Sequence, residues 1–292
     1  MSIKSILCLF GGAPHELNAL NTAMTLAQSH SAQLRVLHIS LDPKIYFGLY
    51  GENVIAGAEV ISALEKRNEE RQIKARQYAA SFSLKHHIPL DPPAPPAHHA
   101  SACFLHQTGA VETIVAREGR VSDLIVVSQL AALPDTPNDI AISAALFSTG
   151  RPMLIMPKAQ GDLPMQWRDK TIALAWNGSL EAARAMWGVM PLLENAEKLH
   201  ILVARRHGDA ADFIPEVKLM DYLKAHGLQT EVIAIDRGNR SAAEVVLEKT
   251  KELKSDLLVM GAYGHSRFRE MVLGGFTEHM LRKADIPLLL SH

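Results

Sequence analysis

Short unbroken apolar runs alternate along this chain with longer stretches in which apolar residues recur every three or four positions. Runs such as Ile6 to Phe10 and Leu257 to Met260 carry no polar alternation, the mark of strands buried on both faces. The periodic stretches read as amphipathic helices. In the C-terminal half the pattern predicts strands at Thr171 to Ala175, Leu199 to Val203, Thr230 to Ile235, Leu257 to Met260 and Leu288 to Leu290. Helices are expected near Leu180 to Met190, Phe213 to His226, Ala242 to Leu253 and Thr277 to Ala284. Ser241 with Glu244 forms a capping box for the third of these, and Gly227 follows the second as a C-terminal cap. In the N-terminal half the strands are Ile6 to Phe10, Leu34 to Ile39, Cys103 to His106, Leu124 to Val127 and Met153 to Met156. A long helix is expected over about Val60 to His86, and the proline-rich Pro89 to Pro96 reads as an extended surface loop.

The two halves repeat one pattern. Lys4 to Phe10 followed by two glycines resembles Lys170 to Trp176 followed by Asn177 and Gly178. Ala32 to Ile39 matches Ala196 to Val203, Val121 to Val127 matches Lys254 to Met260, and Arg151 to Met156 matches Ile286 to Leu290. The spacing between matched segments shrinks along the chain by about 31 residues, so the first half carries an insertion between Ser40 and Pro96. Each half reads as β-α-β-α-β-α-β-α-β. The expected fold is α/β: two tandem, doubly wound, five-stranded parallel-sheet domains in three α/β/α layers. One domain is expected over residues 1–158 and the other over 165–292, with the boundary near Lys158 to Pro164.

Composition narrows the classes. A chain of 292 residues, 48% hydrophobic, can fill two cores. Thirty basic residues against 31 acidic ones argue against a nucleic-acid coat or a polybasic membrane anchor. No apolar run approaches the ~18 residues of a membrane span. Cys8 and Cys103 sit in apolar runs without a CxxC pair, as small buried hydrophobes. The start of the chain lacks a signal-peptide pattern, and a cytoplasmic, soluble protein is expected.

The most informative stretch is Gly261 to Thr277. It follows an apolar strand and precedes a short helix, with glycines in the spacing Gly261-x2-Gly264-x9-Gly274. Glycine lets backbone approach an anion, free N–H groups point outward, and the helix dipole adds positive potential, so such a loop suits a phosphate.

This loop, the turn after the first strand and the Ser255 to Gly261 strand resemble the universal stress protein family, and the doubled length resembles its tandem form. The likeness is strong from Thr171 to Leu290 and weak in the first half. It implies a fold like that of the adenine-nucleotide α-hydrolases and an ATP-binding regulator of the stress response, with Mg²⁺ as a counterion. By position, Gly261 and Gly264 would bring backbone close to ribose and phosphates, and Met260 would border the ribose. Gly274, Gly275 and Phe276 would offer N–H groups to the phosphates, with Thr277 adding a hydroxyl. Val203 would give backbone contacts to adenine, and Arg267 is the best placed of the loop's His265, Ser266, Arg267 and Arg269 for the terminal phosphate. Asn177 stands where the family usually has aspartate, and Gly275 where it commonly has Ser or Thr. The first half has Ser128 in the place of Gly261 and no glycine between Arg120 and Gly150, so no nucleotide is expected there.

Other chemistry is poorly supported. His98, His99 and His106 lack a supporting carboxylate or cysteine spacing for a metal, and the Glu65 to Arg71 charge run reads as a solvated helix face. Ser179 reads as a helix cap rather than a nucleophile. There is no Walker lysine and no evident machinery for fast phosphoryl transfer, so at most slow ATP hydrolysis is expected, with no catalytic residue assigned. Adenylating enzymes of related fold carry motifs that this chain lacks. The competing reading is a scaffold that binds an unidentified protein partner through degenerate sites. The final strands of the halves, Met153 to Met156 and Leu288 to Leu290, are expected to pair in an internal pseudo-dimer, with a homodimer of such chains also open.

Overall fold

The computed structural model describes residues 2–42, 58–93, 98–129, 137–158, 169–193, 196–205, 214–262 and 275–292. These residues divide into two compact units. Ser2–Arg151 lies in one, and Pro152–Pro157 with the chain from Gln166 to His292 lies in the other.

In the first unit the order is β1 (Ser5–Leu9), a 3-10 turn (Pro14–Glu16), α1 (Leu17–His30), β2 (Gln33–Ser40), α2 (Ala58–Lys85), β3 (Ser101–Thr108), α3 (Val111–Gly119), β4 (Leu124–Ser128) and α4 (Pro137–Ser148). All strand pairs here are parallel, in the spatial order β3-β2-β1-β4. The strands are apolar on both faces because helices cover both. Ile6, Leu7, Cys8, Leu34, Val36, Ile125 and Val126 are fully buried. Cys8 and Cys103 are free thiols, and burial pushes both up.

The inserted segment supplies α2. Its Glu65 to Arg71 run is exposed apart from half-buried Asn68, whose amide donates to the Leu41 carbonyl at 2.9 Å. The buried stripe is carried by Ala75, Ala79 and Phe82. Arg76 pairs with Asp91 at 2.7 Å and lies over the Phe104 ring, while Asp91 accepts the Phe104 N–H at 2.8 Å. The helix crosses the end of β1 so closely that a β-carbon on Gly12 (φ 84°) would lie 3.0 Å from the Arg71 carbonyl oxygen and 3.1 Å from the Ala75 β-carbon.

The second unit contains β5 (Met153–Met156), β6 (Lys170–Ala175), α5 (Leu180–Leu193), β7 (Ala196–Arg205), α6 (Ile214–Ala225), β8 (Thr230–Asp236), α7 (Ala242–Glu252), β9 (Leu257–Gly261), α8 (Gly275–Lys283) and β10 (Leu288–Ser291). The strands β10, β9, β6, β7 and β8 form a parallel run in that order. The strand β5, which comes from the first half of the sequence, pairs antiparallel with β10 through Met153↔Leu290, Leu154↔Leu289 and Ile155↔Leu288. All four β5 residues are buried. The expected pairing of Met153 to Met156 with the last strand is therefore present.

The strands and helices match the apolar pattern with small differences at their ends. β3 is longer than Cys103 to His106, since the polar Gln107 and Thr108 continue the ladder to Ile39 and Ser40. α5 runs past Met190 and carries Pro191 in its last turn, where proline removes one i→i−4 hydrogen bond close to the helix end. α8 begins at Gly275, inside what reads in the sequence as loop. Both capping-box hydrogen bonds of Ser241 and Glu244 are present, at 3.2 and 3.1 Å. No described helix is long and apolar enough to cross a membrane.

Candidate functional site

In open parallel α/β sheets the ligand crevice lies at the carboxyl ends of the strands, where the strand order reverses. In the second unit that point is between β6 and β9. The strand β6 ends at Ala175, in register with Leu202 of β7 and Met260 of β9. Both neighbours continue further. β7 reaches Arg205, paired to Asp236 on its far side, and β9 reaches Gly261, paired to Ser291. The short central strand thus leaves a notch, walled by the β6-facing backbone edges of Val203 to Arg205 and of Gly261.

The floor of the notch is the turn from Trp176 to Ser179. The Trp176 N–H donates to the Leu202 carbonyl at 2.9 Å. The Asn177 side-chain carbonyl accepts the Ser179 N–H at 3.0 Å, an Asx turn that leaves the two amide hydrogens as the remaining donors of this exposed residue. Ser179 caps α5 by accepting the Ala182 N–H at 3.2 Å, as its place in the sequence suggests. The Trp176 indole N–H is shut off from solvent and meets no acceptor among the described residues.

The other expected site residues divide into three groups. Val203 lies at the notch with its side chain buried, so its backbone is what it can offer. Met260 is also buried in the sheet, next to the β6 terminus. Gly261 is held to glycine by the protein itself, because a β-carbon would lie 2.5 Å from the Ala182 nitrogen and 2.6 Å from the Glu181 carbonyl carbon. Its missing side chain admits the first turn of α5 as well as any ligand. Gly275 opens α8 and is exposed; a β-carbon there would meet nothing within 4 Å among the described residues. Phe276 is half-buried and Thr277 is buried in the first turn of the same helix. Gly264, Arg267 and Gly274, together with His265, Ser266 and Arg269, lie outside the described residues.

Two side chains that spacing alone does not single out stand beside the notch. Arg205, at the end of β7, is paired with Glu216 in the first turn of α6. The second carboxylate oxygen of Glu216 is buried and has no hydrogen-bond partner among the described residues. The sequence signal for this pair is slight: a basic residue closing a strand and an acidic residue opening the next helix.

The matching edge of the first unit is built differently. Glu16, 7% exposed, folds back on the turn after β1 and accepts the Ala13 N–H at 2.8 Å. A β-carbon on Gly11 would lie 3.1 Å from its Oε2. Burial pushes the Glu16 carboxyl up, against the opposing pull of the Ala13 N–H and the charge of His15. Ser128, in the place matching Gly261, is buried and donates to the His15 carbonyl at 3.2 Å. Beside β2 and β3, a cavity of about 380 Å³ is lined by residues that include Ser40, Asp42, Glu65, Asn68, Glu69 and His106. His106 bonds the Ser40 hydroxyl at 2.9 Å, and burial lowers its pKa. Among the described residues no group of three or more His, Cys, Asp or Glu is arranged to hold a metal ion.

Comparison with known proteins agrees with this architecture. The model of the universal stress protein family matches residues 171–292. A universal stress protein of Thermus aquaticus is 28% identical over 134 residues, covering 41% of this chain and 97% of that one. A second, from Synechocystis sp., is 46% identical over 48 residues, only 16% of this chain and 17% of the relative's length. The crystal structure of a universal stress protein from Archaeoglobus fulgidus covers 98% of this chain and 97% of its own, with a TM-score of 0.67 and 15% sequence identity, a likeness of fold. Residues 171–292 belong to the universal stress protein family, and the likeness of fold to a member of that family extends over the first half of the chain as well.

Proposed function

We propose that the second unit binds ATP, with Mg²⁺ as counterion, and that the protein acts as a stress-response regulator through nucleotide-dependent conformation or partner choice. The observation that carries this reading is the notch over the end of β6, where β7 and β9 both run on past their shared neighbour. Backbone edges of that kind suit the rim of a purine, and the Asn177 amide can donate to ribose or phosphate oxygens. The indole N–H of Trp176 supplies a further donor that has no acceptor within the described protein. The N-terminus of α8, opening on Gly275, favours negative charge. Gly261, Gly264, Gly274, Gly275, Phe276, Thr277, Met260, Val203 and Arg267 keep the roles that the family resemblance gives them. No catalytic residue is assigned, and any ATP turnover is slow.

The first unit is read as a non-binding partner, because the Glu16 carboxylate already occupies the N–H groups at the end of β1 and Gly12 lies beneath α2. Titration calorimetry on protein stripped of endogenous ligand tests both statements. The expected result is saturation with one ATP per chain. Absence of heat and of a thermal shift at millimolar ATP would favour the scaffold instead, since a ligand at 100 times its Kd adds ~2.7 kcal/mol of stability.

A further inference from the structure

Orphaned buried polar atoms are few in native proteins, and one at a ligand crevice can be met by a ligand. Glu216 carries such an atom. The residue is 8% exposed. One of its oxygens holds the Arg205 guanidinium, and the other is buried with no donor among the described residues. Arg205 fixes where this acceptor stands: at the carboxyl end of β7, two residues beyond Val203. In a strand, residues two apart share a face, so Arg205 and Val203 lie on the same side of the sheet. Trp176, one residue beyond the Ala175↔Leu202 register, shares that side as well. A flat group laid against the overhanging edge of β7 therefore has the indole on one flank and the Arg205–Glu216 pair at its outer end.

We infer that Glu216 reads the base of the bound nucleotide by accepting a hydrogen bond from an exocyclic amine, and so makes the site selective for adenine over bases that present a carbonyl oxygen there. This inference rests on the nucleotide-binding reading above. The chemistry is one-sided. A carboxylate oxygen is an acceptor only. The adenine amine satisfies it, whereas the carbonyl oxygen of hypoxanthine or guanine in the same place sets two acceptors against each other and leaves a buried charge unsolvated. Sites built to hydrogen-bond a group reject the analogue that lacks it far more strongly than apolar pockets reject a missing methylene.

The test compares ATP with ITP, which differ in the amine, by equilibrium titration of the full chain. Wild-type protein is expected to prefer ATP by about tenfold to a hundredfold, the range for a hydrogen bond to a charged group. In Glu216→Gln the side-chain oxygen still serves Arg205 while the amide can donate to a carbonyl. The preference should then fall towards unity, mainly through tighter ITP binding. Equal affinity of the wild-type protein for ATP and ITP overturns the inference without any variant. An ATP/ITP ratio that is the same in Glu216→Gln as in wild type overturns it too, and both outcomes leave nucleotide binding intact. Failure of the wild-type protein to bind ATP at all overturns this inference and the reading beneath it together.

Discussion

A β-carbon on Gly261 would stand 2.5 Å from the backbone nitrogen of Ala182, so the last residue of β9 meets the first turn of α5 at its backbone and at the Glu181 β-carbon. The contact is covalently inflexible on both sides, and no rotamer change can relieve it. Gly261→Ala should cost about 2–3 kcal/mol through forced separation of strand and helix. It should also weaken ATP binding, since the Asn177 turn leads directly into that helix. Urea unfolding and ATP titration of the same sample measure the two effects; an unchanged unfolding midpoint would contradict the packing argument.

Ser241 offers the opposite case, a stabilising residue remote from the notch. Its hydroxyl accepts the Glu244 N–H, and the Glu244 carboxylate accepts the Ser241 N–H; the Ser241 hydroxyl and N–H together hold that carboxyl below its ordinary value. Ser241→Ala should lower stability by about 1 kcal/mol. The Kd for ATP should stay at its wild-type value, and a changed Kd would show that α7 communicates with the site.

Trp176 gives the site an intrinsic optical reporter. Its indole N–H is buried without an acceptor among the described residues, a state that ordinarily costs about 1–3 kcal/mol. A ligand oxygen that reaches it should shift the tryptophan emission on ATP addition. Trp176→Phe should abolish that shift and weaken ATP several-fold, whereas Trp187→Phe, on the exposed side of α5, should do neither. Retention of the full emission change in the Trp176 variant would remove this residue from the binding surface.

Most of the fold was legible because burial of parallel strands on both faces writes continuous apolar runs into the sequence. Leu257 to Met260 and Leu124 to Val127 could hardly be anything else. The capping box at Ser241 and the cap at Ser179 were equally readable, being contacts between residues three apart. The glycine spacing suggests a phosphate loop after β9 and says nothing of what each glycine does in packing. Gly261 is required by α5, an element 80 residues away in sequence, and no local pattern reports that. Glu16 and Glu216 escaped for the same reason. What matters in each is a carboxylate folded onto a backbone turn or a strand end, set by tertiary packing and not by spacing. The start of α8 at Gly275 went unread because glycine is a poor helix former, and it is tolerated there as the first residue.

The Glu16 carboxyl should leave a mark on the pH dependence of stability. Burial raises it above the ordinary value of 4.5, so the folded chain holds this proton more tightly than the unfolded chain does. Its contribution to stability is therefore complete below the unfolded value and is lost as pH rises through the folded one. Glu16→Gln cannot ionise and lacks this loss. The stability of wild type minus that of the Gln variant should decline from about pH 4 towards neutrality. Urea midpoints of both proteins across that range measure it, and a difference that rises with pH would mean that the Ala13 N–H bond outweighs burial.

Gly275 is the position at which the site should be improvable. Unlike Gly261 it meets none of the described residues within 4 Å when a β-carbon is added, so its glycine is not imposed by the described packing. It is the first residue of α8, and serine there removes the helix-propensity cost of glycine. The family commonly carries a hydroxyl at this place, and the ATP reading gives that hydroxyl a phosphate oxygen to meet. Gly275→Ser should keep or slightly raise stability and tighten ATP about fivefold, the value of one added hydrogen bond. Gly275→Ala separates the two effects, since it offers the same β-carbon without a donor. The serine variant should bind ATP more tightly than the alanine variant in calorimetry. Equal affinities for the two would place the phosphates away from the start of α8.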